Sequence, residues 1–176
     1  DFRYVTPGGF ADFNDAIEVD PDDSSLADLD PDQRARAAAF RPGGPYARIL
    51  ADAHLTLILD GNLFVHGGVL PEHVAAGLDE HNALVRAWLL GEGPRPDEIL
   101  RGDSEVWSRR FSKEVDGNDC ATLDSVLTAL NLRRMVVGHT VQSGGIASHC
   151  NDAVWCIDVG MADAYGGPVE VLEIRG

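Results

Sequence analysis

Residues 63–71 read Leu-Phe-Val-His-Gly-Gly-Val-Leu-Pro, and this stretch predicts a buried strand that ends at a histidine. Leu63–Val65 is a short apolar run bounded by turn residues, which is the pattern of a core strand. The preceding Asp60-Gly61-Asn62 favours a hairpin turn, so we expect Thr56–Leu59 to pair antiparallel with this strand. The two glycines after His66 leave room for the close approach of another group. Taken by itself, His66 fits two descriptions: a structural histidine, or a ligand for a metal or phosphate.

A second predicted strand also ends at a histidine. Met135-Val136-Val137 runs into Gly138-His139-Thr140, so an apolar strand, a glycine and a histidine follow one another again. Functional sites of α/β proteins gather where strands end. Neutral imidazole is a common ligand for zinc, iron and manganese. We therefore take His66 and His139 as candidate metal ligands, which need carboxylate or amide oxygens beside them to make a catalytic metal site.

Length and charge narrow the class of protein. The chain has 176 residues, enough for one domain with a sizeable core. Its 14 Lys and Arg residues against 29 Asp and Glu residues give a net charge of −15. This excess of negative charge argues against non-specific binding to nucleic acid and to anionic membrane surfaces. No apolar run reaches the roughly 18 residues of a membrane-spanning helix.

The three cysteines do not form a recognisable disulfide framework. An odd number without a visible secretory context favours reduced thiols at Cys120, Cys150 and Cys156. Pairing of Cys150 with Cys156 is the alternative. A zinc site from these two cysteines and His149 lacks a fourth ligand at a familiar spacing.

Helical and strand patterns alternate along the chain after a loop-like, acidic beginning at residues 1–30. The Asp30-Pro31 pair predicts a helix start, with Asp30 as N-cap. The segment from Leu100 to Phe111 shows no regular pattern. The predicted helices are Pro31–Phe40, Tyr46–Ala53, Leu78–Leu90 and Ala121–Leu130, and the last two predicted strands are Val154–Ile157 and Val169–Ile174.

Together these segments resemble one family. The stretch at 63–71 is similar to the His-Gly-Gly motif of the calcineurin-like metallophosphoesterases, and 136–140 is similar to the later Gly-His motif of the phosphoprotein phosphatase superfamily within them. Further segments resemble the Shewanella-like protein phosphatases. They are Arg41-Pro42-Gly43-Gly44-Pro45, Val106-Trp107-Ser108-Arg109, Ile157-Asp158-Val159-Gly160-Met161 and the closing stretch at 166–174.

The resemblance implies a fold and an activity. The fold is α/β, the C-terminal part of a four-layer α-β-β-α metallophosphoesterase sandwich with mixed β-sheets. Residues 1–176 then form the C-terminal portion of a single calcineurin-like phosphoesterase domain, with an acidic, loop-rich segment at 1–30 and a sheet and helix body at 31–176. The implied activity is that of a phosphomonoester hydrolase with two divalent metal ions (Mn, Fe or Zn), acting on phosphorylated proteins or small phosphoesters.

The resemblance also assigns roles to single residues. His66 and His139 match two metal-ligand positions, and Arg109 matches a position that binds phosphate through its planar guanidinium. Arg101 is the alternative for that role, and Tyr165 lies in a last loop where related phosphatases place a tyrosine near the site. Asp158 follows a predicted strand. It has two possible roles there: to support the metal ligands from behind, or to form a turn.

One departure limits the resemblance. The family's Asp-x-His, Gly-Asp-x-x-Asp-Arg-Gly and Gly-Asn-His-Glu motifs do not occur here. We expect them upstream in a longer phosphatase, and we expect the isolated chain to be inactive because the bridging carboxylate belongs to those motifs. Two alternatives stay open, a dinucleoside polyphosphate hydrolase of the same fold and a non-catalytic remnant. A soluble protein of the cytoplasm or a plastid fits the sequence, which does not specify a compartment or an oligomeric state.

Overall fold

Six α-helices and five short strands form the regular structure of the computed structural model, which describes residue 2 and residues 5–175. Two 3-10 turns lie at Ser24–Leu26 and Asp97–Leu100. The helices are α1 (Pro7–Ala11), α2 (Pro31–Phe40), α3 (Pro45–Leu50), α4 (Pro71–Ala76), α5 (Leu78–Leu90) and α6 (Gly117–Leu130). The strands are β1 (Thr56–Leu59), β2 (Asn62–Val65), β3 (Arg134–Val137), β4 (Ala147–His149) and β5 (Val154–Cys156).

The chain divides into two compact units. The first comprises Asp1–Ala53 and Leu84–Pro94, and the second comprises His54–Ala83 and Arg95–Gly176. In the first unit, Phe13 packs in a small buried cluster with Ala35 and Ala39 of α2. The guanidinium of Arg36 lies 4.9 Å from the centre of the Phe13 ring and donates a hydrogen bond to the Gly9 carbonyl, so it links α2 to the acidic segment.

The second unit is built on a mixed five-stranded sheet in the order β1-β2-β3-β5-β4. β1 and β2 form the antiparallel hairpin that the sequence predicts, with Leu59 opposite Asn62. Asp60 and Gly61 both have positive φ, at 50° and 74°, as a two-residue hairpin turn matched to strand twist requires. β2 and β3 are parallel, β3 and β5 are parallel, and β4 returns antiparallel to β5.

One face of this sheet carries the main apolar core. Alternate strand residues such as Leu63, Met135 and Val154 are fully buried, as the period of two in a strand requires. α6 contributes Leu123 and Val126 to the same cluster. The strands that end at His66 and His139 are therefore held by the best-packed part of the unit.

The structure confirms most predicted elements and corrects several. α2 and α5 have the predicted bounds, and α6 begins four residues earlier than expected, at Gly117, where Asp116 accepts from the Asn118 and Asp119 amides. Residues 1–30 are not wholly loop, because Pro7 opens α1 behind a Thr6 N-cap. Asp30 precedes α2 as predicted, but its side chain makes no capping hydrogen bond.

The predicted last strand, Val169–Ile174, is wrong. Its alternation of apolar and acidic residues has the period of a strand, yet none of the described strands pairs with it. Val169 and Val171 are 84% and 86% exposed. A strand is defined by a hydrogen-bonded neighbour, and alternation in the sequence does not supply one.

The prediction of three reduced cysteines is also wrong. Cys120, in the first turn of α6, forms a disulfide with Cys150, in the turn after β4, 30 residues further along. Cys156 is the free thiol, and burial raises its pKa to about 11. The alternative pairing of Cys150 with Cys156 and a zinc site on these two cysteines are excluded by the same bond.

The helices of the described residues differ in length and apolar character from a membrane-spanning helix. None of them combines the length and the apolar character needed to span a bilayer.

Candidate functional site

The two candidate histidines leave the sheet side by side. β2 and β3 are neighbouring parallel strands, with Val65 opposite Val137. His66 follows β2 directly, and His139 follows β3 after Gly138, whose amide donates to the His66 carbonyl at 2.9 Å. Because carboxyl ends of parallel strands meet at one sheet edge, two histidines that are 73 residues apart in sequence come into contact.

The imidazole rings face each other through one nitrogen each. His66 Nε2 lies 3.1 Å from His139 Nδ1. The backbone of His139 is in the left-handed region, with φ of 62°, and the Thr140 amide donates back to the Gly138 carbonyl at 2.7 Å. A non-glycine residue in this conformation is uncommon, and such conformations cluster at functional sites.

The facing nitrogens fit two ligands of one divalent ion. Two nitrogens each about 2.1 Å from an ion, at an angle between about 90° and about 109°, lie about 3.0–3.4 Å apart, which brackets the observed separation. His139 Nε2 is buried and has no hydrogen-bond partner among the described residues. No group of three or more potential metal ligands occurs in the described part of the chain. The residues present therefore fit part of a metal centre, and further ligands would have to complete it.

Both histidines favour the neutral form that a metal ligand needs. Burial lowers the pKa of His66, and the charge of Arg109 adds to the shift while Asp158 opposes it. Burial also lowers the pKa of His139, helped by the charges of Arg109 and His66 and opposed by that of Asp158. Each cause acts on the charged form of the imidazole, since burial and a nearby positive charge both disfavour a cation.

Arg109 reaches the same sheet edge from the irregular segment between α5 and α6. Its Nη1 donates to the His139 carbonyl and to Thr140 Oγ1, each at 3.0 Å. Its Nε and Nη2 make no hydrogen bond or ion pair with the described residues. A guanidinium fixed through one nitrogen keeps an edge with two nitrogens for an anion such as phosphate.

The segment that carries Arg109 packs tightly on the two glycines after His66. The Glu105 carbonyl accepts from the amides of Gly67, at 2.6 Å, and Gly68, at 3.3 Å. A Cβ on Gly67 would lie 2.8 Å from the Ser108 carbonyl oxygen, so only glycine allows this approach. These contacts fix the position of Arg109 relative to His66.

The chain is similar in sequence and in fold to several known proteins. No protein-family model matches the chain. Shewanella-like protein phosphatase 2 of Arabidopsis thaliana is 44% identical over 149 residues, which cover 81% of this chain and 38% of that relative. The chain is a homologue of the Shewanella-like protein phosphatases.

Each of the further relatives of this phosphatase homologue matches it over only part of the relative's own length. An uncharacterized protein of Schizosaccharomyces pombe is 25% identical over 182 aligned positions, covering 99% of this chain and 50% of that protein. A solved cold-active protein tyrosine phosphatase superposes with a TM-score of 0.55 at 24% identity, covering 63% of this chain and 34% of the other. The cold-active protein-tyrosine phosphatase of a psychrophilic Shewanella species gives 0.53 at 27% identity, over 63% and 35%. The chain thus spans half or less of the length of these proteins, and its mixed α/β fold is similar to part of a phosphatase structure.

The structure gives contacts for three further residues that were considered for the site. Arg101 pairs with Asp103, 3.3 Å away, and lines a cavity beside His73 and His81 instead. Tyr165 is 71% exposed, and none of the described hydrogen bonds or aromatic contacts links it to either site histidine. Asp158 forms the predicted turn, since its carboxylate accepts from the Gly160 amide at 3.0 Å, and it also lies close enough for its charge to oppose the lowered pKa of both histidines.

Sequence reasoning missed other residues near the site. Trp107 is 39% exposed, and its ring meets the His139 ring edge-on at a centroid distance of 5.3 Å. Glu105 is only 2% exposed, and its carboxylate lies 2.5 Å from His81 Nδ1. His73 is buried, where Nδ1 accepts from the Leu70 amide and caps α4. The position of Trp107, two residues before Arg109, is the sequence signal that could have pointed to it.

Proposed function

We propose that the polypeptide containing this chain is a metal-dependent phosphomonoester hydrolase of the calcineurin-like type and acts as a protein phosphatase. In this proposal, residues 1–176 are the C-terminal portion of one phosphoesterase domain and of its four-layer α-β-β-α sandwich. One observation carries the proposal. His66, His139 and Arg109, which come from three separate segments, meet at one edge of the sheet.

The proposed metal ligands are His66 Nε2 and His139 Nδ1. They support one side of a centre for two divalent ions, with the remaining ligands supplied by the rest of the polypeptide. Bound divalent ions neutralise charge on phosphoryl oxygens and make water more acidic. Both imidazoles are suited to this role because burial and the Arg109 charge lower the pKa of each and so favour its neutral form.

Arg109 is the proposed phosphate ligand. Its Nε and Nη2 lie on a planar edge whose spacing matches two oxygens of a phosphoryl group. The same side chain is tied to the backbone of His139, so a phosphate held by Arg109 stays beside the imidazoles. The main-chain contact of Glu105 with Gly67 keeps the Arg109 segment next to His66.

The proposed substrates are phosphorylated proteins, with phosphotyrosine, phosphoserine and phosphothreonine as the candidate residues. Support comes from the relatives, since the Arabidopsis protein is named a protein phosphatase and the solved structures are named protein tyrosine phosphatases. The strongly acidic composition argues against nucleic acid as substrate.

The test uses the full-length polypeptide that contains this chain, loaded with manganese, and a chromogenic aryl phosphate. H66A and H139A should each lower kcat/KM more than about 100-fold, because loss of even a supporting partner of a metal ligand costs about 10- to 100-fold. R109A should raise KM. H54A is the matched control, since His54 is exposed and makes none of the described hydrogen bonds. Unchanged turnover in both H66A and H139A would show that this edge of the sheet is not the active site.

A second assay separates the substrate classes. The wild-type protein is given a phosphotyrosine peptide, a phosphoserine peptide and diadenosine tetraphosphate in parallel. Release from either peptide supports a protein phosphatase. Hydrolysis of the dinucleotide alone would replace it with a dinucleoside polyphosphate hydrolase, and no turnover of any substrate would favour a non-catalytic protein.

A further inference from the structure

Thr140 lies between the proposed metal ligand His139 and the proposed phosphate ligand Arg109. Its Oγ1 accepts a hydrogen bond from Arg109 Nη1 at 3.0 Å, and the same Nη1 donates to the His139 carbonyl. We infer that Thr140 is a positioning residue for phosphate binding, acting through the guanidinium of Arg109. The inference rests on the proposed function and assigns a role to a residue that is not one of the proposed metal ligands.

The role follows from the freedom that Arg109 would otherwise have. Its side chain is exposed, and a long exposed side chain samples many rotamers unless polar contacts hold it. The two contacts of Nη1 are the hydrogen bonds that its guanidinium makes with the described residues. One acceptor, the His139 carbonyl, fixes the distance, and the second, Thr140 Oγ1, fixes the rotation of the plane. With the plane fixed, the Nε and Nη2 edge keeps one direction before any phosphate arrives.

Thr140 is itself held by a polar network that joins two segments. The Ser112 hydroxyl lies 2.7 Å from Thr140 Oγ1, and Ser112 is buried. Gln142 Nε2 donates to the Thr140 carbonyl at 2.9 Å and to the Ser112 carbonyl at 3.1 Å. The acceptor offered to Arg109 is thus fixed by contacts with the segment after Arg109 and with the segment after His139.

A threonine at this position permits two matched substitutions. Valine has nearly the same shape and lacks the hydroxyl, so T140V removes the acceptor for Arg109 and the 2.7 Å partner of the Ser112 hydroxyl, which keeps the Arg109 carbonyl at 3.4 Å as an acceptor. T140S keeps the hydroxyl and removes a methyl group. If Thr140 only filled space, T140V would be the milder change. If its hydroxyl positions Arg109, T140S is the milder change.

The experiment measures binding of inorganic phosphate to the full-length, manganese-loaded polypeptide by isothermal titration calorimetry, with KM and kcat for an aryl phosphate alongside. T140V should weaken phosphate binding about 10-fold, the scale of one hydrogen bond to a charged group. T140S should stay within about twofold of the wild type. The effect on KM should exceed the effect on kcat. T122V is the matched control, since the exposed Thr122 hydroxyl donates within α6 to the Asn118 carbonyl.

A double-mutant cycle decides whether Thr140 acts through Arg109. R109A should weaken phosphate binding, and R109A/T140V should be no weaker than R109A alone. Additive losses, or equal losses in T140V and T140S, would overturn the inference while R109A still supports the proposed function. Unchanged binding in R109A together with unchanged turnover in H66A and H139A would instead overturn the proposed function. If T140V does not fold, T140A with T140S applies the same criteria.

Discussion

Replacing Gly67 by alanine tests how closely the Arg109 segment packs on the turn after His66. The added Cβ would lie 2.8 Å from the Ser108 carbonyl oxygen and 2.9 Å from both the Ser108 nitrogen and the Val106 carbonyl carbon. All three are backbone atoms, so no side chain can rotate away and one segment must move. Overpacking of this kind costs about 1–3 kcal/mol. In a polypeptide about twice as long as this chain, as its relatives are, about 2 kcal/mol corresponds to a decrease in Tm of about 2–3 °C.

The measurement compares thermal unfolding of G67A with that of G102A in the full-length polypeptide. A Cβ added to Gly102 would meet no atom within 4 Å, and Gly102 does not have a positive φ, so the same substitution there should be neutral or slightly stabilising. G67A should also raise KM, since displacement of the segment moves Arg109 relative to His139. Equal melting temperatures for the two variants would refute the close backbone contact.

Three further predictions concern the second unit. A thiol reagent at pH 8 should leave native Cys156 unmodified, since it is buried with a pKa of about 11, and peptide mapping should find the label on Cys156 after denaturation and also on Cys120 and Cys150 after reduction. Replacing Cys120 and Cys150 by serine should lower the free energy of unfolding by about 3.5 kcal/mol, measured with urea, because the bond closes a 30-residue loop. D116N should lower Tm at pH 7, where the carboxylate caps α6. Backbone hydrogen bonds lower the pKa of Asp116 below 3.8, so this difference should be fully present above pH 3.8 and vanish as the pH falls through the lowered pKa.

The sheet edge with the two histidines was predictable because the signal is local. Each histidine follows an apolar run of strand length, and Asp60-Gly61 supplies the turn that pairs β1 with β2. The sequence does not state that β2 and β3 are neighbours. Once a parallel pairing is assumed, their carboxyl ends must meet, so the contact between His66 and His139 follows from topology.

The contacts that orient Arg109 could not be predicted in the same way. One acceptor is the His139 carbonyl, and a backbone atom carries no residue-specific signal. The other is Thr140, 31 residues away in the sequence, and Arg109 itself lies in an irregular segment without periodicity. The disulfide has the same character, since three cysteines allow three pairings and only the fold brings Cys120 and Cys150 together.

The burial of Glu105 is a third feature that could not be predicted from the sequence. A glutamate between a serine and a valine has the sequence context of an exposed residue, yet it is 2% exposed. Its carboxylate is accommodated by His81, 24 residues earlier, at 2.5 Å, and by His73, whose Nε2 is 3.9 Å away. Buried charges are recognised through their partners, and these partners belong to two different helices.

The disulfide makes residues 120–150 a closed covalent ring, and β3 with His139 lies inside it. A protease that cuts once within this ring leaves the two pieces attached, so they would migrate together on a non-reducing gel and separate after reduction. A cut between His66 and Arg109 has no such tether. One cut near His139, within residues 120–150, therefore leaves both fragments covalently joined. One cut between His66 and Arg109 separates the chain into two fragments that no disulfide joins.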